Sequence, residues 1–244
     1  MTTQYGIIGY PLGHSFSPAF FQAKFAAEGI DARYSLYPIE SIDGFTGLLQ
    51  NQPGLRGLNV TIPYKEAIIR YLSNLTTEAR EVGAVNCIAI NNGVTTGHNT
   101  DIIGFERSLT PLLQNHHTAA LVLGTGGASK AVIYVLKKLG INYSLVSRTK
   151  AEGTITYGDL SGDIVSKSKL IINTTPLGMH PHTSAFPALP YENVGAEHLL
   201  YDLIYNPAET RFLKIGREHG ATTKNGLEML ELQAIAGWKI WTTT

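Results

Sequence analysis

Short apolar runs alternate with segments of helical periodicity along the whole chain. In residues 1–100 this alternation predicts strands at 5–9, 32–37 and 55–60 and helices at 17–28, 41–50 and 63–71. Two further runs, 86–91 and 94–97, flank the turn sequence Asn91-Asn92-Gly93 and predict a hairpin. This part of the chain is therefore predicted to form an α/β unit with the hairpin at its edge.

The second half of the chain repeats the alternation around a glycine-rich turn. A helix is predicted from Asp101 to about 114, and a strand at 119–124 leads into Gly124-Thr125-Gly126-Gly127-Ala128-Ser129. A helix to Leu139 and a strand at 143–147 follow, and this order is typical of a dinucleotide-binding unit. The remaining elements are predicted as strands at 170–173, 199–202 and 221–223 and helices at 210–219 and 227–241. The fold class is therefore α/β, and two domains are preferred.

Composition and charge exclude several classes of protein. Lys plus Arg equals Asp plus Glu at 19 each, so no net field attracts nucleic acid or an anionic membrane. No apolar run reaches the roughly 18 residues of a membrane span, and no leader is evident, so we expect a soluble cytoplasmic protein. Cys87 is the only cysteine, which excludes an intrachain disulfide, and its apolar surroundings favour a buried, inert thiol. The histidines lack metal-site spacing, and no metal is expected.

The stretch Asn59-Val60-Thr61-Ile62-Pro63-Tyr64-Lys65 carries the main candidate for chemistry. Pro63 fits the first position of the predicted helix, which would place Lys65 in the first turn, where a cation opposes the helix dipole. An ordinary surface lysine is the alternative. Asn86 and Asp101 lie at or just beyond strand ends, and such positions on an open α/β sheet converge on one crevice. A lysine, a carboxylate and amides in one crevice make a proton-transfer site.

The glycine-rich turn predicts dinucleotide binding. Gly124 allows the tight turn, Gly126 lets a pyrophosphate approach the backbone, and the following helix offers N–H groups to the anion. Ser129 stands where the third glycine of the pattern usually lies. Glycines that merely end a strand are the alternative, but here the strand and the helix both lie where the motif requires them.

The end of the next strand favours NADP as the cofactor. An acidic residue there would bind a free ribose 2′-hydroxyl, whereas this chain has Ser147-Arg148-Thr149-Lys150. The planar guanidinium of Arg148 suits a phosphate. Ordinary loop cations are the alternative interpretation.

A series of segments resembles the motifs of the shikimate dehydrogenase family, in order and over nearly the whole chain. These segments are residues 9–18 (Gly-Tyr-Pro-Leu-Gly-His-Ser-Phe-Ser-Pro), 59–65, 83–86, 99–101, 124–129, 147–149, 173–179, 201–207 and 225–233. The resemblance implies a reversible, NADP-linked reduction of 3-dehydroshikimate to shikimate, a step of aromatic amino acid biosynthesis. It also implies a cleft between an N-terminal α/β substrate domain and a Rossmann-type domain.

The resemblance implies a role for each matching residue. On the substrate side, Ser15 and Ser17 would hold the carboxylate, Tyr205 would close that end, and Thr61, Lys65, Asn86, Asp101 and Gln233 would surround the ring hydroxyls. On the cofactor side, Gly126, Gly127 and Ala128 would lie at the pyrophosphate, between Gly124 and Ser129, with Arg148 and Thr149 at the adenosine phosphate and Leu203 and Gly226 near the nicotinamide. Lys65, held by Asp101, is the expected proton donor, and its ammonium also stabilises the forming alkoxide.

The domains follow from these assignments. Residues 1–103, rejoined by the C-terminal helix at 227–244, are predicted to bind substrate, and residues 104–226 to bind NADP. The expected partners are small molecules only, and the chain is expected to be a monomer or a homodimer.

Two positions depart from the family pattern. Phe21-Gln22 stands where the family usually has His-Asn. Between Thr149 and Asp159, two glycines flank the strand-like residues 154–157, which leaves no room for the helix that usually follows the Arg-Thr motif. We therefore expect a more open adenosine end.

Other interpretations stay open from sequence. Ser15 and Ser17 also suit turn and helix-capping roles, with Ser17 before Pro18 a good N-cap. Asn86 and Asn99 also suit turns. A relative acting on quinate and a nucleotide-binding sensor without turnover are the alternative functions. The presence of both Lys65 and Asp101 argues against a sensor.

Overall fold

In the computed structural model, which describes residues 2–13 and 15–243, the chain divides into two units. Residues 1–100 and 234–244 make up the first unit, and residues 101–233 make up the second. His14, in the loop predicted to hold the substrate carboxylate, lies outside the described residues. Within the described ranges, no helix is long and apolar enough to cross a membrane.

The first unit is built on a six-stranded sheet. Its elements, in chain order, are β1 (Thr3–Gly9), α1 (Ser17–Glu28), β2 (Ala32–Pro38), α2 (Gly44–Asn51), β3 (Leu55–Val60), β4 (Asn74–Leu75), α3 (Thr77–Val82), β5 (Cys87–Asn91) and β6 (Val94–His98). The strand order is β2-β1-β3-β5-β6-β4. β1 runs parallel to β2 and β3, whereas β5 runs antiparallel to β3 and β6.

The predicted hairpin is confirmed. β5 and β6 pair antiparallel, with Asn91 opposite Val94. The hairpin does not form the edge of the sheet, however, because β4 pairs in parallel with β6 beyond it. A strand of two residues has no periodicity from which the sequence could predict it.

Both faces of this sheet are covered at its centre, which agrees with the mostly buried residues of β1, β3 and β5. On one face Ile8 packs with Leu58 and Ile88. On the other, Tyr5 packs with aromatic residues of α1 and with Trp241, which lies near the end of the last helix. Cys87 belongs to this second cluster and is fully buried, as the sequence predicts.

The second unit is built on an all-parallel sheet. Its elements, in chain order, are α4 (Asp101–Leu109), β7 (Ala119–Leu123), α5 (Gly127–Lys138), β8 (Asn142–Ser147), β9 (Thr154–Thr156), α6 (Gly162–Lys167), β10 (Leu170–Asn173), β11 (Leu199–Asp202), α7 (Arg211–Glu218), β12 (Thr222–Lys224) and α8 (Leu227–Thr243). The last part of α8 belongs to the first unit. The strand order, β12-β11-β10-β7-β8-β9, is that of a Rossmann fold counted from β7.

The connection from β8 to β9 contains no α-helix, as the sequence predicts. Residues 148–153 form turns and irregular structure, and β9 then pairs in parallel with β8 from Leu145 opposite Thr154 to Ser147 opposite Thr156. Parallel neighbours usually need a crossover of a dozen or more residues, most often a helix. The short return is accommodated here because β9 spans only three residues.

Candidate active site

The predicted substrate residues of the first unit come from one edge of its sheet. Ser15 and Ser17 follow the carboxyl end of β1, and Thr61 and Lys65 follow the carboxyl end of its parallel neighbour β3. Because β5 is antiparallel to β3, Asn86, which directly precedes β5, lies at the same edge. The topology therefore assembles five polar side chains from distant parts of the sequence.

Lys65 does not lie in the first turn of an α-helix, so that prediction is wrong. It occupies a turn, and a short 3-10 helix begins only at Ala67. The reason is a tertiary contact: the Lys65 carbonyl accepts a hydrogen bond from Val85 N–H at 2.7 Å, and Ile69 N–H bonds to Glu66 instead. Lys65 is therefore held by its backbone, with a half-buried side chain and no helix dipole to oppose.

Asn86 links the segment beside Lys65 to the end of β6. Its backbone N–H donates to His98 O at 3.1 Å. Its side-chain Oδ1 accepts from Thr100 N–H at 2.6 Å, and its Nδ2 donates to Thr100 Oγ1 at 3.0 Å. Asn86 is therefore a long-range connector rather than a local turn residue. Thr100, fully buried, directly precedes Asp101, and sequence reasoning gave it no role.

Ser17 is not the N-cap of α1, which corrects the capping interpretation. Phe16 is the N-cap and makes no side-chain capping bond, while Ser17 is the first helical residue. The Ser17 side chain hydrogen-bonds the Tyr34 hydroxyl and lowers its pKa, although burial raises that pKa by more. Tyr34 in turn donates to Asn59 Oδ1 at 2.7 Å.

Asn59 and Tyr34 are buried polar residues at the site that sequence reasoning missed. Asn59 Nδ2 donates to Asn86 O at 3.3 Å, so a chain of side-chain bonds runs from α1 to Asn86. Phe21, one of the departures from the family pattern, stacks on Tyr34 with ring centroids 4.6 Å apart. Little in the sequence marked them out, because the strands that contain Tyr34 and Asn59 also hold other polar residues, Arg33, Ser35 and Arg56.

In the second unit, Asp101 and Gln233 lie on two helices that pack closely. Asp101 begins α4 and is buried, and Gln233 on α8 is also buried, with its Nε2 donating to Leu230 O at 2.9 Å. The helices meet at Gly104, where an added Cβ would lie 2.5 Å from Met229 O. Glycine at this position therefore lets the backbone of α8 approach the first turn of α4.

The glycine-rich turn between β7 and α5 has the geometry of an anion cradle. Gly124 has a φ of +109°, and an added Cβ would lie 2.7 Å from Thr174 Oγ1. Gly126 is the N-cap of α5 and has open space around it. Gly127 and Ala128 form the first turn of α5, where backbone N–H groups have no intrahelical acceptor and can bind an anion. Ser129 is buried and its hydroxyl donates back to Gly126 O at 2.6 Å, so it supports the turn.

Arg148 and Thr149 lie just beyond the carboxyl end of β8 and are both exposed. Thr149 N–H bonds to Ser147 Oγ at 3.3 Å, which forms a tight turn at the strand end. Without a following helix, the Arg148 guanidinium is open to a ligand. The exposed cation and the open glycine turn follow neighbouring strands, an arrangement that suits the adenosine phosphate and the pyrophosphate of NADP, respectively.

Leu203 and Gly226 form a tightly packed corner after β11. Leu203 N–H donates to Asn173 O at 3.0 Å, and Gly226 N–H donates to Ile204 O at 3.0 Å. Tyr205 follows on the same loop and is half-buried, and burial raises the pKa of its phenol. Tyr205 therefore stays protonated and able to donate a hydrogen bond at neutral pH.

Metal ligation has no support among the described residues. No group of three or more His, Cys, Asp or Glu side chains in those ranges could hold a metal ion. His98, near the site edge, has its pKa lowered by burial, with Glu78 opposing that shift. His98 is therefore neutral at physiological pH.

Comparison with known proteins gives one consistent family. The family model of the shikimate dehydrogenase substrate binding domain matches residues 7–88. The shikimate dehydrogenase (NADP(+)) of Methanococcus maripaludis is 37% identical, over 97% of this chain and 91% of that protein.

Solved structures agree over the full length. Shikimate dehydrogenase from Aquifex aeolicus has a TM-score of 0.89 and 35% identity, covering 100% of this chain and 93% of that chain. Shikimate 5-dehydrogenase from Thermus thermophilus, in complex with NADP(H) and shikimate, has a TM-score of 0.88 and 30% identity, covering 99% and 94%.

Proposed function

This chain belongs to the shikimate dehydrogenase family, and on that premise we propose that Lys65 and Asp101 are its catalytic residues. The chain is an NADP-dependent oxidoreductase that reversibly reduces 3-dehydroshikimate to shikimate in aromatic amino acid biosynthesis. Bound NADP supplies or accepts the hydride. The protein must therefore orient the substrate and manage one proton.

The observation that supports Lys65 most is its backbone bond to Val85, beside Asn86. That bond, together with the Asn86 bonds to Thr100, fixes the chain on either side of the proposed proton donor and just before Asp101. Lys65 donates a proton to the ketone oxygen as the carbon is reduced, and its ammonium stabilises the developing charge.

The remaining substrate contacts are proposed on the same edge of the first sheet, on the loop after β11 and on helix α8. Ser15 and Ser17 hold the carboxylate with hydroxyl groups, and Tyr205 donates its phenol at that end. Thr61, Asn86 and Gln233 bind the ring hydroxyls. Hydroxyls and amides are sufficient for a small polyol with one carboxylate, because each supplies a directional donor or acceptor.

The cofactor residues are proposed on the carboxyl edge of the second sheet. Gly124, Gly126, Gly127, Ala128 and Ser129 hold the pyrophosphate, and Arg148 with Thr149 holds the adenosine phosphate. Leu203 and Gly226 lie against the nicotinamide. We further propose the domain bounds 1–103 with 227–244 for substrate and 104–226 for NADP. The oligomeric state is predicted to be a monomer or a homodimer, and sedimentation velocity measures which of the two forms.

Lys65→Ala tests the catalytic assignment. We expect kcat for shikimate oxidation to fall by roughly 10²- to 10⁴-fold, the usual contribution of a general acid or base, while KM for shikimate changes only a few-fold. The measurement is NADP reduction followed by absorbance, with quinate as a second substrate. Lys239→Ala, an exposed lysine on α8, is the matched control. Wild-type kcat in Lys65→Ala would end the assignment, and faster turnover of quinate than shikimate would favour the related polyol.

A further inference from the structure

The carboxyl ends of β10 and β11 carry a buried polar pair that the catalytic scheme does not use. Asn173 and Asp202 are the last residues of these neighbouring parallel strands, and both are fully buried. Asn173 Nδ2 donates to Asp202 Oδ1 at 3.0 Å. Burial of a carboxyl group costs free energy unless hydrogen bonds replace its lost hydration. The hydrogen-bond partners of Asp202 therefore identify the segments that it holds in place.

Asp202 holds the loop that follows β11. Its Oδ1 also accepts from Ile204 N–H at 3.0 Å, and its Oδ2 accepts from Thr210 Oγ1 at 2.6 Å. Ile204 O accepts from Gly226 N–H, and Leu203 N–H donates to Asn173 O. The Leu203–Ile204 peptide segment is therefore fixed from three directions.

Asn173 holds the loop that follows β10. Its Oδ1 accepts from Thr175 N–H at 3.0 Å and from Thr175 Oγ1 at 2.6 Å. The preceding residue, Thr174, donates its hydroxyl to Leu123 O at 2.7 Å and lies against Gly124. One pair of side chains thus braces the loop beside the glycine turn and the loop that carries Leu203.

We infer that Asp202, acting with Asn173, is a positioning residue that sets the nicotinamide end of the cofactor site. The Asp202 carboxylate accepts hydrogen bonds from Asn173, Ile204 and Thr210, and it acts through the Ile204 backbone. It reaches the loop after β10 through Asn173, whose Oδ1 accepts from Thr175. The inference rests on the proposed cofactor role of Leu203 and Gly226.

Asp202→Ala is the direct test, read by calorimetric titration with NADP alone and by steady-state kinetics. The variant leaves three donors without their acceptor, so we expect the Kd and KM for NADP to rise at least about fivefold. KM for shikimate should rise less than KM for NADP, because the substrate serines and Lys65 lie on the first sheet and only Tyr205, among the proposed substrate contacts, follows directly on the segment that Asp202 holds. In Asp202→Asn the side-chain oxygen can still accept the bonds made to Oδ1, and the amide group can donate to the Thr210 hydroxyl. We therefore expect this variant, unlike Asp202→Ala, to bind NADP within about threefold of wild type.

Tyr201→Phe is the matched control. Tyr201 precedes Asp202 on β11 and is fully buried, but its hydroxyl bonds to Ser108 at 2.7 Å and not to the loops. It should lower thermal stability and leave NADP affinity unchanged. If Asp202→Ala fails to fold, Thr210→Val removes the Oδ2 partner while leaving the Oδ1 bonds, and a smaller rise in the NADP Kd is expected; it also removes the N-cap bond from Leu213 N–H, so its thermal stability is measured alongside.

Three results would overturn the inference: unchanged NADP affinity in Asp202→Ala, an equal loss in Tyr201→Phe, or an Asn variant as weak as the Ala variant. Failure of the proposed function is separate. It would show as a wild-type protein without turnover of shikimate and NADP, whatever the variants do.

Discussion

At the scale of single residues, protonation of Asp202 is coupled to folding. Burial raises the pKa of this carboxyl to about 6, while hydrogen bonds from Thr210, Ile204 and Asn173 lower it. An ordinary aspartate in the unfolded chain has a pKa of about 3.9. The folded protein therefore binds the proton more tightly, so this stabilising contribution is complete below pH ~4 and is lost as the pH rises through 6.

Asp202→Asn carries no such dependence, so its stability relative to wild type should increase with pH. We expect the difference in the free energy of unfolding to grow by on the order of 3 kcal/mol between pH 4 and 7.5 in favour of the variant. Urea unfolding across this range measures it. Asp159→Asn is the control, because hydrogen bonds from Thr156 lower the pKa of Asp159. Its stability relative to wild type should therefore change with pH in the opposite direction. A flat difference for Asp202→Asn would contradict the coupling.

Residue types and motifs allowed the candidate site to be proposed, but not the contacts that support it. The sequence pointed to Asn86 and Lys65 as site residues, yet it placed Lys65 in the first turn of a helix, whereas the helix is 3-10 and begins only at Ala67. The Lys65 carbonyl is taken by Val85, and no local pattern encodes that bond. Tyr34 and Asn59 escaped notice for the same reason, since their partners are distant in sequence.

At the scale of elements, the strands were predicted better than the helices around the site. β3, β10 and β11 have the predicted bounds because each is short and almost entirely buried, with Arg56 of β3 as the exception. The helix expected from Asp101 to about 114 ends at Leu109 and continues only as a 3-10 turn with Pro111 near its start. The short helices α3 and α6 were missed, since six residues carry little periodicity.

In the proposed cofactor site, the short return from β8 to β9 leaves Arg148 as the main contact for the adenosine phosphate. Arg148→Ala should raise KM for NADP by about five- to tenfold, as expected for one charge-assisted bond at an exposed site, and leave KM for NAD unchanged. Steady-state kinetics with both cofactors measures the ratio. Arg107→Ala, an exposed arginine of α4, is the matched control. An equal rise for NAD, or a wild-type preference for NAD, would argue against the phosphate clamp.

At the scale of the whole molecule, two sheets carry two sets of candidate ligand contacts. The proton donor and the serines follow strands of the first sheet, while the glycine turn, Arg148 and Leu203 follow strands of the second. The alternation of strands and helices was enough to predict both α/β units. The positions where the chain passes from one unit to the other, after Thr100 and before Ala234, carry no compositional mark.

Hydrogen exchange tests this division of ligands. NADP alone should slow exchange at residues 124–129 and 203–204 far more than at 61–65, because a ligand protects the amides it binds or orders. Shikimate alone should do the reverse. Exchange is carried out on the intact chain, and mass spectrometry of the peptides obtained by later digestion gives both patterns. Equal protection of 61–65 by either ligand would contradict the assignment.

The burial of Cys87 makes the natural protein convenient for labelling. Its thiol has no exposure, and Gly237 of α8 packs over it, with an added Cβ only 3.6 Å from Sγ. Thiol reagents therefore reach Cys87 only when the first unit opens. The rate at which Cys87 is alkylated thus reports how often that unit opens. While the protein stays folded, a cysteine introduced at any exposed position can take a fluorophore without removal of the native one.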